Sequence, residues 1–197
     1  MSITQTASRA RMRSFFWTLT LFALLCLLPS DYAHSESAAE HELKAVFLYN
    51  FANYITWPES AFQNQDSPFN YCLLGRSRIN DSLNAVLKNE TINGRQLRLV
   101  EFQHPTQLSE CHILFIHQLY EGYPPDLFRK LAAESILTVG DDVNFIPAGG
   151  AIGLLQKARK IDLVINMDAI ELARLKVSSK LLRLAKRVRP SSEVPEK

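Results

Sequence analysis

No glycine-rich phosphate loop occurs in this chain of 197 residues. Its seven glycines never fall into a GxGxxG or GxxxxGK[ST] arrangement, so the usual nucleotide-binding signatures are missing. Gly75 stands alone in "LLGRSRIND" and reads as a turn at the end of a strand. Metal-ligand spacing is missing as well. His112 and His117 sit five apart on a predicted strand, where alternation sends side chains to opposite faces. His41 and His104 have no companion, so no metal site is expected. Ser178, Ser179 and Lys180 run together in "VSSK", whereas the serine–lysine nucleophile motif is S-x-x-K; Ser178 reads instead as a helix N-cap. Asp141 and Asp142 are neighbouring loop acids, and nothing fixes the separation that acid–base work requires. These absences argue against an enzyme, and no cofactor is expected.

A lasting excess of positive charge is also missing. The formal net charge is +2, but residues 1–35 hold three arginines and one aspartate. The remainder carries 19 basic and 19 acidic side chains. A neutral mature chain gives no support to nucleic-acid binding, which draws on a clustered basic face. The arginines, Arg9, Arg11 and Arg13, precede "FFWTLTLFALLCLL", an apolar run of fourteen residues from Phe15 to Leu28. Pro29 and the small residues of "SDYAHS" follow. This is the layout of a secretory signal peptide, with cleavage expected after Ala33 or Ser35. The run is short of the roughly 20 residues that span a bilayer.

Cysteine is scarce, with three in all. Cys26 lies within the leader, and the bulky Leu25 before it argues against a lipidation site. Cys72 and Cys111 are left in the mature part. An even count in an exported chain favours a disulfide between them. The bridge would close a loop of about 40 residues, worth roughly 4 kcal/mol in the chain-entropy model. Two buried free thiols are the alternative.

Hydrophobic periodicity predicts a helix over 38–55, with Leu43, Val46, Phe47, Phe51 and Tyr54 on one stripe. Asn50 falls within that stripe, and a buried amide needs partners, so Asn50 is expected to clamp a neighbouring backbone. Pro58 stops the helix near Trp57. Further on, "FNYCLLG", "RQLRLVEF", "HILFIH" and "ILTVG" read as strands, with helices at "INDSLNAVLKN" and "PPDLFRKLAAE". "AIGLLQK" and "KIDLVIN" read as a hairpin, and "DAIELARLK" and "SSKLLRLAKRV" as two closing helices. The pattern predicts a single three-layer α/β domain over 36–189, its mixed β-sheet flanked by helices. Residues 190–197 are expected to form a disordered tail.

Two apolar groups are candidates for a partner surface. Trp57 and Phe62 flank the helix end, and Phe145 and Ile146 lie with Asp141 and Asp142 in the predicted loop "DDVNFIPAGG". For each group, packing over the sheet is the competing reading. A periplasmic small-ligand sensor is the alternative function, resting on the aromatic patch near Trp57, and a deep apolar pocket there would favour it.

The stretch "LKAVFLYNFANYITWP", continued by "YCLLG", "NGRQL", "CHILFI", "ILTVGDD", "GGAIGLL", "KIDLVIN" and "SSKLLRLA", resembles the YfiR-like family of periplasmic proteins. The resemblance covers roughly Ala39 to Val188. It implies a non-enzymatic repressor that binds the periplasmic domain of an inner-membrane diguanylate cyclase, lowering cyclic-di-GMP and biofilm formation. It further implies an OmpA-like outer-membrane lipoprotein that sequesters the repressor. Cys72 and Cys111 match the family's bridging pair. A second pair, found in some relatives near the glycine-rich segment, is absent, since Val143 to Ile152 contains no cysteine. The sequence leaves the oligomeric state open, a homodimer among the options.

Overall fold

A chain that alternates short apolar runs with amphipathic segments buries itself by layering helices on a sheet. The computed structural model describes residues 32–75, 78–104, 108, 110–117, 126–157 and 160–190. The predicted leader up to residue 31, residues 76–77 of the single-glycine turn, and residues 191–197 of the predicted tail lie outside these. Among the described residues, no helix is long and apolar enough to cross a membrane.

From Glu40 onward the chain forms one unit. The first helix, α1 (Tyr32–Tyr54), leads into a two-residue strand, β1 (Ile55–Thr56), and a short 3-10 turn at Glu59–Ala61. Then follow β2 (Phe69–Leu74), α2 (Ile79–Leu87), β3 (Thr91–Ile92), β4 (Arg95–Phe102), β5 (Ile113–Ile116), α3 (Leu127–Ala133) and β6 (Leu137–Gly140). The chain closes with β7 (Ile152–Lys157), β8 (Lys160–Asn166), α4 (Met167–Leu172), β9 (Lys176–Val177), α5 (Ser179–Leu184) and β10 (Lys186–Val188).

Eight strands form the main sheet in the order β10-β8-β7-β6-β5-β2-β4-β3. The run β7-β6-β5-β2-β4 is parallel throughout. The β7–β8 hairpin is antiparallel, as is the β3–β4 pair made around Asn93-Gly94. The mixed sheet expected from the sequence is therefore present. β1 and β9 pair separately as a two-stranded ribbon.

The innermost strands have the near-continuous apolar runs that burial on both faces demands. Every residue of β2, β5 and β6 is buried. Alternation along β2 sends Phe69, Tyr71 and Leu73 into the larger core, with Leu48 and Phe51 of α1 and Ile79 and Leu83 of α2. Cys72 and Leu74 go to the other, with Leu127, Phe128 and Leu131 of α3. Two cores on opposite faces of one sheet define the α/β fold.

The disulfide is formed. Cys72 in β2 and Cys111, two residues ahead of β5, have their α-carbons 5.9 Å apart, within the span a bridge requires. Parallel pairing of β2 with β5 places them there.

Three local readings are corrected. The buried face of α1 runs through Ala45, Leu48, Phe51 and Ala52 and continues into Ile55 of β1, while Leu43 and Val46 are exposed. Small alanines on the sheet-facing side let the helix lie close to the sheet, and the bulkier Phe47 and Tyr54 are left half-buried at its margin. Asn50 is not a clamp on a neighbouring backbone. It is half-buried, and its Nδ2 donates to the Val46 carbonyl one turn earlier in its own helix, at 2.8 Å. Finally, "SSKLLRLAKRV" is helical only to Leu184. Ala185 turns extended, and Lys186–Val188 pair with β8 as a parallel edge strand. Pairing with an open sheet edge outweighs the helical preference of three terminal residues. Ser178 does cap α5, its hydroxyl accepting from the Leu181 N–H.

Candidate functional site

Strand order defines where an open α/β sheet presents ligand-binding groups. The chain goes from β2 outward to β4, then back to β5 on the other side. The reversal makes a switch point between β2 and β5, and the carboxyl ends of strands beside such a point are the usual site. His117 directly follows β5, and Asp141 directly follows β6.

These two residues meet a third that the sequence reading missed. Lys44, on the buried face of α1, is only 4 % exposed. Its Nζ donates to Asp141 Oδ2 at 2.7 Å and lies 2.6 Å from Glu40 Oε1, one turn earlier on the helix. His117 Nδ1 lies 3.1 Å from the same Asp141 oxygen. An ionised carboxylate can only accept, so the imidazole proton on that side belongs to Nδ1. The cluster ties α1 to the ends of two central strands.

Its electrostatics are self-consistent. Burial pushes the Asp141 carboxyl up, but hydrogen bonds from His117 and Lys44, with the Lys44 charge, outweigh it and hold it below the usual range. Burial likewise pulls Lys44 down, and its bonds to Asp141 and Glu40 reverse that and raise it. Both groups therefore stay charged at neutral pH. His41, half-buried nearby, is pulled down by burial and then by the positive charge of Lys44.

The remaining candidates fall elsewhere, and several expectations of exposure are corrected. Asp141 is buried in this cluster rather than presented on a loop. Phe145 has no exposed surface, and Ile146 is buried beside it in the core that holds α3. The Phe145 ring lies so close to Gly140 and Gly150 that a β-carbon at either would overlap it. It meets Phe128 edge-on at 5.2 Å. The glycine-rich segment thus makes room for an aromatic plug. Asp142 is half-buried, and its Oδ1 accepts from the Asn144 N–H, as a turn residue. In this loop Val143 is left outward, 73 % exposed.

Trp57 is also buried, edge-on to Phe69 at 4.9 Å. Its indole N–H has no partner among the described residues. Phe62 is half-buried, stacked on His112 at 4.5 Å, and the Arg95 guanidinium lies 3.9 Å from its ring centre. The pocket at Trp57 is about 280 Å³, and Asn53, Thr56, Asn93 and Arg95 are among its lining residues. That is a small recess, not the deep apolar pocket that would favour a ligand-sensor reading. His112 precedes β5 in a bend, so strand alternation does not place it. It lies at the opposite end of β5 from His117. Among the described residues, no cluster of three metal-ligating side chains occurs.

A family model described as YfiR/HmsC-like matches residues 41–186. The chain belongs to the YfiR/HmsC-like family. The match spans the fold from α1 to the first residue of β10, including both cysteines and all three residues of the Lys44 cluster. No curated protein matches the chain.

Proposed function

We propose that this chain is exported to the periplasm and represses an inner-membrane diguanylate cyclase by binding its periplasmic domain. Membership of the YfiR/HmsC-like family over residues 41–186 carries this reading. The signal-peptide layout of residues 1–35 and the neutral charge of the remainder support it. A repressor needs only to favour the inactive conformation of its target, since differential affinity shifts the population by that amount. No catalytic group is called for. Release would come when an OmpA-like outer-membrane lipoprotein competes for the repressor, raising cyclic-di-GMP and biofilm formation.

Affinity capture of the mature chain from membranes is the direct test of the partner. Recovery of a membrane protein with a GGDEF output domain is the expected result. Failure to recover any such protein, from cells that contain one, would overturn the assignment.

A further inference from the structure

Charge is unevenly spread along the mature chain. From Arg174 to Arg189 it carries seven basic side chains and no acidic one. The rest of the mature part holds 12 basic and 19 acidic side chains. The neutral total therefore conceals a strong polarity, with its positive end in the last elements of the fold.

All seven of these basic residues are exposed. Leu181 of α5 is buried, and Leu182 packs beside it against the larger core, which turns the other side of this short helix outward. Lys180, Arg183 and Leu184 share that side, being three and four residues apart, and Leu184 is 73 % exposed. The helix runs directly into β10, the end strand of the sheet. Lys186 pairs with Val164 and Arg187 with Ile165, so alternation sends the two to opposite faces of that edge. Lys176 lies just ahead of α5, in β9.

The acidic residues that precede the stretch, Asp168 and Glu171, are both taken up by Arg189. Lys176, Lys180, Arg183, Lys186 and Arg187 have no ion-pair partner among the described residues. Lysine on an edge strand guards against pairing with another chain, but that accounts for Lys186 and Arg187 alone and not for the cations of α5 and β9. None of the five lines a described cleft, so no described concavity serves a discrete anion here. Nor does the stretch from 174 to 189 contain an aromatic residue, whereas protein–protein interfaces are enriched in aromatics and poor in lysine. A basic face of this kind, with one outward leucine among its cations, fits a broad anionic surface into which an apolar side chain can dip.

We propose that Lys176, Lys180, Arg183, Lys186 and Arg187, with Leu184 among them, dock this chain on an anionic lipid bilayer. Repulsion between the same lipids and the acidic remainder of the chain orients it with this face down. Docking concentrates the chain beside any membrane-anchored target. The inference rests on export as read above but not on the cyclase: lipid binding can fail while the cyclase is still bound, and the reverse.

Co-sedimentation of the mature chain with lipid vesicles at low salt tests this. Binding is expected to vesicles of equal parts phosphatidylglycerol and phosphatidylcholine, and not to pure phosphatidylcholine. It should disappear in about 1 M salt, where charges are screened within about 3 Å. A basic side chain at an anionic surface is worth about fivefold in partitioning, so Lys180→Gln/Arg183→Gln should bind about 25-fold more weakly with unchanged melting temperature. Leu184→Ser should weaken binding several-fold. Lys88→Gln/Arg98→Gln removes the same charge at exposed positions elsewhere and should bind like the wild type. Failure to bind the anionic vesicles, equal binding to the two compositions, or equal losses in the two double variants would each overturn the proposal. Binding to soluble poly-glutamate in place of the vesicles would assign the face to an acidic protein and overturn it as well.

Discussion

Lys44, Asp141 and His117 show how three residues of ordinary appearance make a buried electrostatic joint. A buried ion pair contributes little net stability against apolar residues of the same shape, yet removing one partner leaves the other charge uncompensated. Lys44→Met is therefore expected to destabilise the fold by about 3 kcal/mol, with Asp141 still buried beside His117. The double variant Lys44→Met/Asp141→Leu should recover most of that loss, and urea denaturation of the three proteins measures it. The pH dependence follows from the two shifts. The lowered Asp141 contributes stability above its unfolded value of about 3.9, lost as pH falls through its folded value. The raised Lys44 contributes stability below its unfolded value of about 10.4, lost as pH rises through its folded value. The stability difference between wild type and the double variant should thus be flat from about pH 7 to 9 and fall on both sides, the acid limb beginning near the unfolded value of His41, which the Lys44 charge helps to lower. Denaturant midpoints across that range would show it, and a difference sloping through neutrality would contradict it.

The joint was legible only in part. Lys44 lies on the face drawn by Ala45, Leu48 and Ala52, and small alanines give a weak periodic signal beside the large aromatics at Phe47 and Tyr54. Drawing the stripe through the aromatics turns the helix by about one residue, or 100°, and puts Lys44 outside. Asp141 was visible as a loop acid, but its burial depends on α1 crossing the ends of β5 and β6. That is a long-range fact no local pattern carries.

At the scale of elements, what the sequence conveyed best was strands with continuous apolar runs. β2, β5 and β6 lie where "FNYCLLG", "HILFIH" and "ILTVG" put them, because burial on both faces demands such runs. The β7–β8 hairpin was equally plain. The C-terminal end was not, since β10 owes its extended form to the edge of β8 and not to its own residues. The loop between β6 and β7 was read as a candidate surface because Phe145 and Ile146 interrupt a polar stretch. Yet the glycines that bracket Phe145 hold the explanation, as they let its ring sit against the backbone. Gly150→Ala is expected to cost about 1–3 kcal/mol through overpacking. Phe145→Ala should cost roughly 3–5 kcal/mol by opening a cavity. Thermal or chemical unfolding of both variants checks this pair of values, and near-neutral effects would mean the plug is dispensable. By contrast Val46→Ser, on the exposed face of α1, should change stability by no more than about 0.5 kcal/mol.

For the whole molecule, the disulfide and the parallel sheet work together. The bridge joins β2 to the approach of β5, the two strands on either side of the switch point, and its cysteines are 39 residues apart. Replacing both with alanine should lower stability by about 4 kcal/mol in the chain-entropy model. The loss should match that of the wild type under reducing conditions, which separates the covalent constraint from side-chain packing. A fold so tied suits a protein that works outside the reducing cytoplasm, in accord with an exported repressor. Its family places it among regulators, and the physics of repression asks for a binding surface and a target with two conformations. The central claim is therefore about output, and cellular cyclic-di-GMP measures it most directly. Deleting the gene in cells that contain the cyclase should raise the nucleotide, and expression of the exported chain should restore the low level. Unchanged cyclic-di-GMP after deletion, with the cyclase present, would contradict the account.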